Sequence, residues 1–190
     1  MRSILYLHGF RSSPASFKAR RLQQYFEQRG AAERFICPQL PPSPRAAFEL
    51  VSQIAGRYLA DTLAVVGSSL GGFYATALAE AMGCRAVLLN PAVWPARDLA
   101  QYIGEQTAWH SEDRFFFQPA FIEELQVLTV EKITQPERYL LLAATGDEVL
   151  DWREMTARYA GATQRVIEGS DHGLSNFEDY LEQVVGFCQQ

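Results

Sequence analysis

Residues 63–83 constrain the fold more than any other stretch of the chain, because they spell a strand, a glycine-bounded serine turn and a helix in succession. Leu63-Ala64-Val65-Val66 is a short apolar run of the kind buried on both faces of a sheet. Gly67-Ser68-Ser69-Leu70-Gly71 follows and fits Gly-x-Ser-x-Gly, the pattern of a nucleophile elbow. Such an elbow holds its serine on a turn so sharp that Cβ atoms at Gly67 and Gly71 are expected to collide with the neighbouring strand and helix. Glycine and serine are common, so the pattern alone decides little. Its context decides more: Phe73, Ala75, Leu78, Ala79 and Met82 then fall at helical spacing, and Gly83 stands where the helix should end.

Apolar runs and helical patterns alternate along the whole chain, which points to a parallel sheet covered by helices. Strands are expected near 3–7, 34–37, 63–67, 86–90, 139–144 and 164–168, and helices near 15–29, 45–60, 70–82, 152–160 and 176–188. With 190 residues and no repeat or linker, the chain reads as one domain, 1–190. Residues 91–138 break the alternation, being far more than one crossover helix needs. That stretch is aromatic (Trp94, Trp109, Phe115, Phe116, Phe117, Phe121) and reads as a cap insertion over the C-terminal edge of the strands.

Several partners are disfavoured. A net charge of −5 argues against nucleic acid or an anionic membrane. No apolar run is long enough to span a bilayer. Met1-Arg2-Ser3 leads straight into Ile4-Leu5-Tyr6-Leu7 with no room for a signal peptide, which suggests a cytoplasmic protein. Cys37, Cys84 and Cys188 are odd in number and lack metal-ligand spacing, so they read as reduced core or incidental thiols.

A serine hydroxyl needs a base to become a nucleophile, and there are three histidines to choose from. His8 ends the first strand, where it reads as a structural buttress of the following loop. His110 lies in the insertion. His172 lies between the last strand and the last helix, the only one of the three to satisfy the chain order serine, acid, histidine. For the acid, Asp147 follows the turn glycine after strand 139–144, with Asp151 as runner-up and a natural helix N-cap. Asp171 adjoins the histidine and is poorly placed to orient its neighbour. An oxyanion hole is expected from the backbone amides of Leu70, at the start of the elbow helix, and Phe10, in the loop after the first strand. Neither a cofactor nor a metal is called for.

The segments His8-Gly9-Phe10-Arg11-Ser12-Ser13-Pro14, Pro38-Gln39-Leu40-Pro41-Pro42, Val66 to Gly72, Asn90-Pro91-Ala92-Val93 and Thr145 to Asp151 resemble the YqiA-type esterases, small bacterial α/β-hydrolase proteins, and the resemblance runs from Ile4 to the final helix. It departs in the insertion and at Gly173-Leu174. The resemblance implies Ser69 as nucleophile, Asp147 as acid and His172 as base, acting on carboxylic esters with acyl thioesters such as acyl-CoA as possible substrates. It further implies a minimal α/β-hydrolase fold that lacks two leading antiparallel strands, with six parallel strands ordered 2-1-3-4-5-6 and the site between strands 1 and 3. A thioesterase would use the same triad. Arg11, Lys18, Arg20 and Arg21 form a basic cluster that could meet a CoA phosphate, although the plainer reading is the solvated face of the first helix. A non-catalytic binding module on the same fold is the remote alternative.

Overall fold

The computed structural model describes residues 1–109 and 112–190. Six parallel strands, β1 (Ser3–Leu7), β2 (Phe35–Ile36), β3 (Leu63–Ser68), β4 (Arg85–Leu89), β7 (Tyr139–Ala144) and β8 (Thr163–Ile167), form one sheet in the order β2-β1-β3-β4-β7-β8. Numbered among themselves, these strands run 2-1-3-4-5-6, and the order reverses at β1, which pairs with both β2 and β3.

The central strands are mostly apolar and buried along nearly their whole length because both of their faces are covered. Leu5, Leu7, Val65, Leu88 and Leu141 pack into one core, while Ile4, Tyr6, Val66, Val87 and Leu140 pack into the other. With a period of two, consecutive residues must serve opposite faces, so the alternation typical of a half-exposed strand is absent. On the first face lie α2 (Pro44–Ala55), α3 (Leu70–Met82) and α6 (Trp152–Arg158), through residues such as Val51, Leu78 and Met155. The second face is covered by α1 (Phe17–Glu27) and α7 (Leu181–Gln189), through Leu22, Phe26, Val184 and Val185. The expected final helix begins later than its pattern suggests. Residues Phe177–Tyr180 form a 3-10 turn, and α-helical geometry starts only at Leu181.

The insertion has more structure than its sequence announced. It holds α4 (Pro95–Leu99), an antiparallel hairpin of β5 (Gly104–Thr107) and β6 (Arg114–Phe117), and α5 (Ala120–Val127). Two polar ties fix it to the body. Arg97 on α4 makes a two-pronged pair with Glu154 on α6, at 2.8 and 2.7 Å. Glu124 on α5 accepts from Ser43 Oγ at 2.7 Å and from the Arg45 amide at 3.0 Å, so its carboxylate neutralises the N-terminus of α2.

The three cysteines are unpaired, with Cys84 and Cys188 buried. Burial raises the Cys37 and Cys188 thiols to about 12 and Cys84 to about 11. It also pushes the Tyr6 and Tyr74 hydroxyls above the usual tyrosine range. An unfolded chain gives up these protons near the ordinary values, whereas the folded chain keeps them, so stability falls as pH rises from about 9. Lys18, whose burial lowers it to about 8, acts in the opposite sense, but it is outnumbered. Urea midpoints measured from pH 7.5 to 10.5 should therefore decline in the upper half of that range. A midpoint that held level to pH 10.5 would mean that these groups are not buried in the folded chain.

Candidate active site

The elbow is built as its glycines imply. Ser69 sits between β3 and α3 with φ 54° and ψ −122°, a conformation that non-glycine residues rarely adopt. Ladder-like bonds hold it there: its amide donates to Leu89 O at 3.0 Å, and its carbonyl accepts from Gly72 and Ala92 at 2.9 and 3.0 Å. A Cβ on Gly67 would overlap the Gly71 carbonyl, and one on Gly71 would overlap the Leu7 carbonyl of β1. Only glycine at both positions lets strand, turn and helix approach this closely.

Three sequence-expected side chains meet at this turn, at the C-terminal ends of the strands. Ser69 Oγ lies 3.0 Å from His172 Nε2, and His172 Nδ1 lies 2.8 Å from Asp147 Oδ2. A carboxylate only accepts, so Nδ1 carries the ring proton and Nε2 is left to accept from the serine hydroxyl. The Asp147 side chain is fully buried, and its other oxygen accepts from the amides of Val149 and Leu150, each at 2.8 Å. Asp151, the runner-up, is instead the N-cap of α6 and accepts from the Arg153 amide at 2.9 Å. Asp171 Oδ1 accepts from the Ser175 amide at 2.8 Å.

The loop after β1 runs directly against the serine, since a Cβ on Gly9 would stand 3.1 Å from Ser69 Cβ. Phe10 and Leu70 line the same cavity as Ser69. Leu70 is the first residue of α3, so its amide is among those a helix leaves without an intrahelical acceptor. His8 is a buttress of this loop: Nε2 accepts from the Leu40 amide at 3.0 Å, which leaves Nδ1–H to donate to Gly9 O at 3.0 Å. His110 lies outside the described residues.

Two groups at the site were not singled out from sequence. Asn90, fully buried at the end of β4 with φ 43°, donates from Nδ2 to the carbonyls of Asp171 and His172 at 3.0 and 3.1 Å. Its Oδ1 accepts from the Ala144 amide at 2.8 Å, so one side chain joins β4, β7 and the histidine loop. The only hint in the sequence is an asparagine placed where a left-handed residue is needed. Glu148 Oε2 accepts from the His172 amide at 3.0 Å.

The basic cluster is not one surface. Lys18 is buried, contrary to its reading as part of a solvated helix face. Arg11 is taken up by the hairpin: its Nε donates to Thr107 O at 2.6 Å and its guanidinium lies 4.5 Å from the Trp109 ring centre. Beside it the Phe10 ring packs edge-on against Phe115 and Phe117, so the insertion grips the loop that runs past Ser69. The cavity above the serine measures about 800 Å³ and is walled by Phe10, Phe17, Leu99, Tyr102, Trp109 and Val149 among others. Among the described residues no set of three or more His, Cys, Asp or Glu is placed to hold a metal ion, and no helix is long and apolar enough to cross a membrane.

A parallel sheet ordered in this way, with a serine elbow after its third strand, has the α/β-hydrolase fold. Solved structures agree across nearly the whole chain. A putative hydrolase from Agrobacterium vitis S4 superposes with a TM-score of 0.75 at 15% identity, covering 98% of this chain and 88% of that one. Est1E from Butyrivibrio proteoclasticus, with ferulic acid bound, gives 0.70 at 16% identity, covering 100% and 87%. An esterase domain from a Rhodothermus marinus protein gives 0.65 at 19% identity, covering 99% and 86%. The chain itself belongs to the uncharacterised protein family UPF0227, the YqiA-like family, whose model matches residues 3–189.

Proposed function

We propose that the protein is a serine esterase that hydrolyses carboxylic esters through an acyl-enzyme on Ser69. The observation that carries this reading is the continuous chain from Ser69 Oγ through the His172 ring to the buried Asp147 carboxylate, at 3.0 and 2.8 Å. Esterases among the similar structures support it at the level of fold.

In this mechanism His172 Nε2 takes the Ser69 proton as Oγ attacks the ester carbonyl. The Leu70 and Phe10 amides hold the developing oxyanion, helped by the positive end of α3. His172 then gives its proton to the departing alkoxide. Water, deprotonated by the same nitrogen, attacks the acyl-enzyme, and Ser69 leaves with the proton returned to it. No cofactor takes part. Asp147 keeps the ring in the tautomer that accepts from serine and stabilises the imidazolium between steps.

The triad would serve a thioester equally well, because a thiolate leaves more readily than an alkoxide. The basic cluster weighed for a CoA phosphate is divided, with Arg11 bound to the hairpin and Lys18 buried, which favours simple esters.

A fluorophosphonate probe should label the wild-type protein and fail to label Ser69→Ala. A panel of p-nitrophenyl esters of rising chain length then sizes the acyl site against the 800 Å³ cavity. Absence of labelling in folded wild type would sink the esterase reading and bring the binding module forward.

A further inference from the structure

Lys18 is the second residue of α1 and is 8% exposed. Lysine is almost never this deeply buried unless something holds it, since a buried ammonium gives up its hydration. Here Nζ donates to the carbonyl of Gly173, the residue after His172, and lines the cavity that contains Ser69 and His172. Asp171 and Asp147 face it closely enough for their charges to favour the ammonium, against burial, which lowers it from 10.5 to about 8. At neutral pH it remains charged. A methionine would fill similar space without the desolvation cost, so packing alone does not account for a lysine here.

Its partner loop explains what the ammonium can do. Glu148 holds the His172 amide, and Asn90 holds the Asp171 and His172 carbonyls. Lys18 holds the next carbonyl along, at Gly173, and so completes the anchoring of the peptides on either side of the histidine. Asp147 and Asp171 set their charges beside the same ammonium, so the cation that holds the Gly173 carbonyl is itself held by the loops that carry the acid and the histidine.

We propose that Lys18 is a positioning residue for the Ser69–His172–Asp147 set: its buried Nζ clamps the Gly173 carbonyl and so fixes the loop that presents the His172 ring to Ser69 and Asp147. The proposal rests on the esterase reading and adds to it a reason why α1 reaches the site.

Three substitutions test the clamp. Lys18→Met removes the donor, whereas Lys18→Gln and Lys18→Arg each keep one. Each is assayed for kcat and KM with a soluble p-nitrophenyl ester, alongside thermal melting and the rate of fluorophosphonate labelling at Ser69. Lys18→Met should lower kcat by about 10- to 100-fold with KM little changed, as expected for a displaced catalytic group. Lys18→Gln should recover part of kcat and Lys18→Arg most of it, and if Lys18→Met does not fold these two are compared with wild type, kcat falling in the order wild type, Arg, Gln. A folded Lys18→Met that keeps kcat and the labelling rate within about twofold of wild type would overturn the proposal, since a purely structural residue changes stability without changing the turnover of the folded enzyme. Donor-keeping variants no faster than Lys18→Met would overturn it too. Wild-type protein that fails to label at Ser69 would overturn the parent reading and this one with it.

Discussion

Ser69→Ala is expected to lower ester turnover by about 10⁶-fold, roughly 8 kcal/mol of transition-state stabilisation, while leaving the fold intact. The alanine removes one oxygen from a residue whose backbone is held by Leu89, Gly72 and Ala92, so the elbow has no reason to relax. His172→Ala should cost about as much, because a hydroxyl without a base at 3.0 Å is a poor nucleophile. The informative variant is the double. Groups that act as one unit do not add, so Ser69→Ala combined with His172→Ala should be no slower than either single variant. Steady-state rates on one p-nitrophenyl ester, with melting curves to confirm folding, measure all three. A Ser69→Ala protein within tenfold of wild type would remove the serine from the mechanism altogether.

The parts legible in the sequence were those governed by local rules. Strands apolar on both faces, such as Leu63 to Val66, betray a covered parallel sheet before any pairing is known. The elbow glycines were legible for the same reason, since Gly67 and Gly71 meet the backbone of adjacent elements. The insertion was opaque because its hairpin turns a solid aromatic run to two sides. Phe115 and Phe117 face Phe10, while Phe116 faces outward at 58% exposure, and a run of three rings in the sequence cannot announce that division. Lys18 was misread although its signal was present. It stands four residues before Leu22 and eight before Phe26, on the stripe that α1 buries, and its charge drew it toward Arg20 and Arg21 instead. Asn90 offers the sequence reader little beyond an asparagine at a left-handed position, because its three bonds go to residues 54 to 82 positions away.

Asp147→Asn should be slower than wild type by about 10⁴-fold, and the reason lies in the oxygen that does not face the histidine. Asp147 Oδ1 accepts from two backbone amides, Val149 and Leu150, both at 2.8 Å. An asparagine in this place must keep its carbonyl oxygen toward those two donors, since turning the amide over would set N–H against N–H. Its NH₂ is then forced toward His172 Nδ1, where Asp147 Oδ2 stood at 2.8 Å. That nitrogen must now accept, so the ring proton moves to Nε2 and points at the Ser69 hydroxyl it should be receiving from. The geometry survives and the tautomer is wrong. KM should therefore stay within about threefold while kcat collapses, as for loss of an interaction made in the transition state. Asp151→Asn supplies the contrast. Asparagine caps a helix as well as aspartate does, so the bond to the Arg153 amide persists, and both kcat and melting temperature should stay near wild type. If Asp147→Asn kept kcat within tenfold and Asp151→Asn lost it, the acid would have been assigned to the wrong end of the β7–α6 loop.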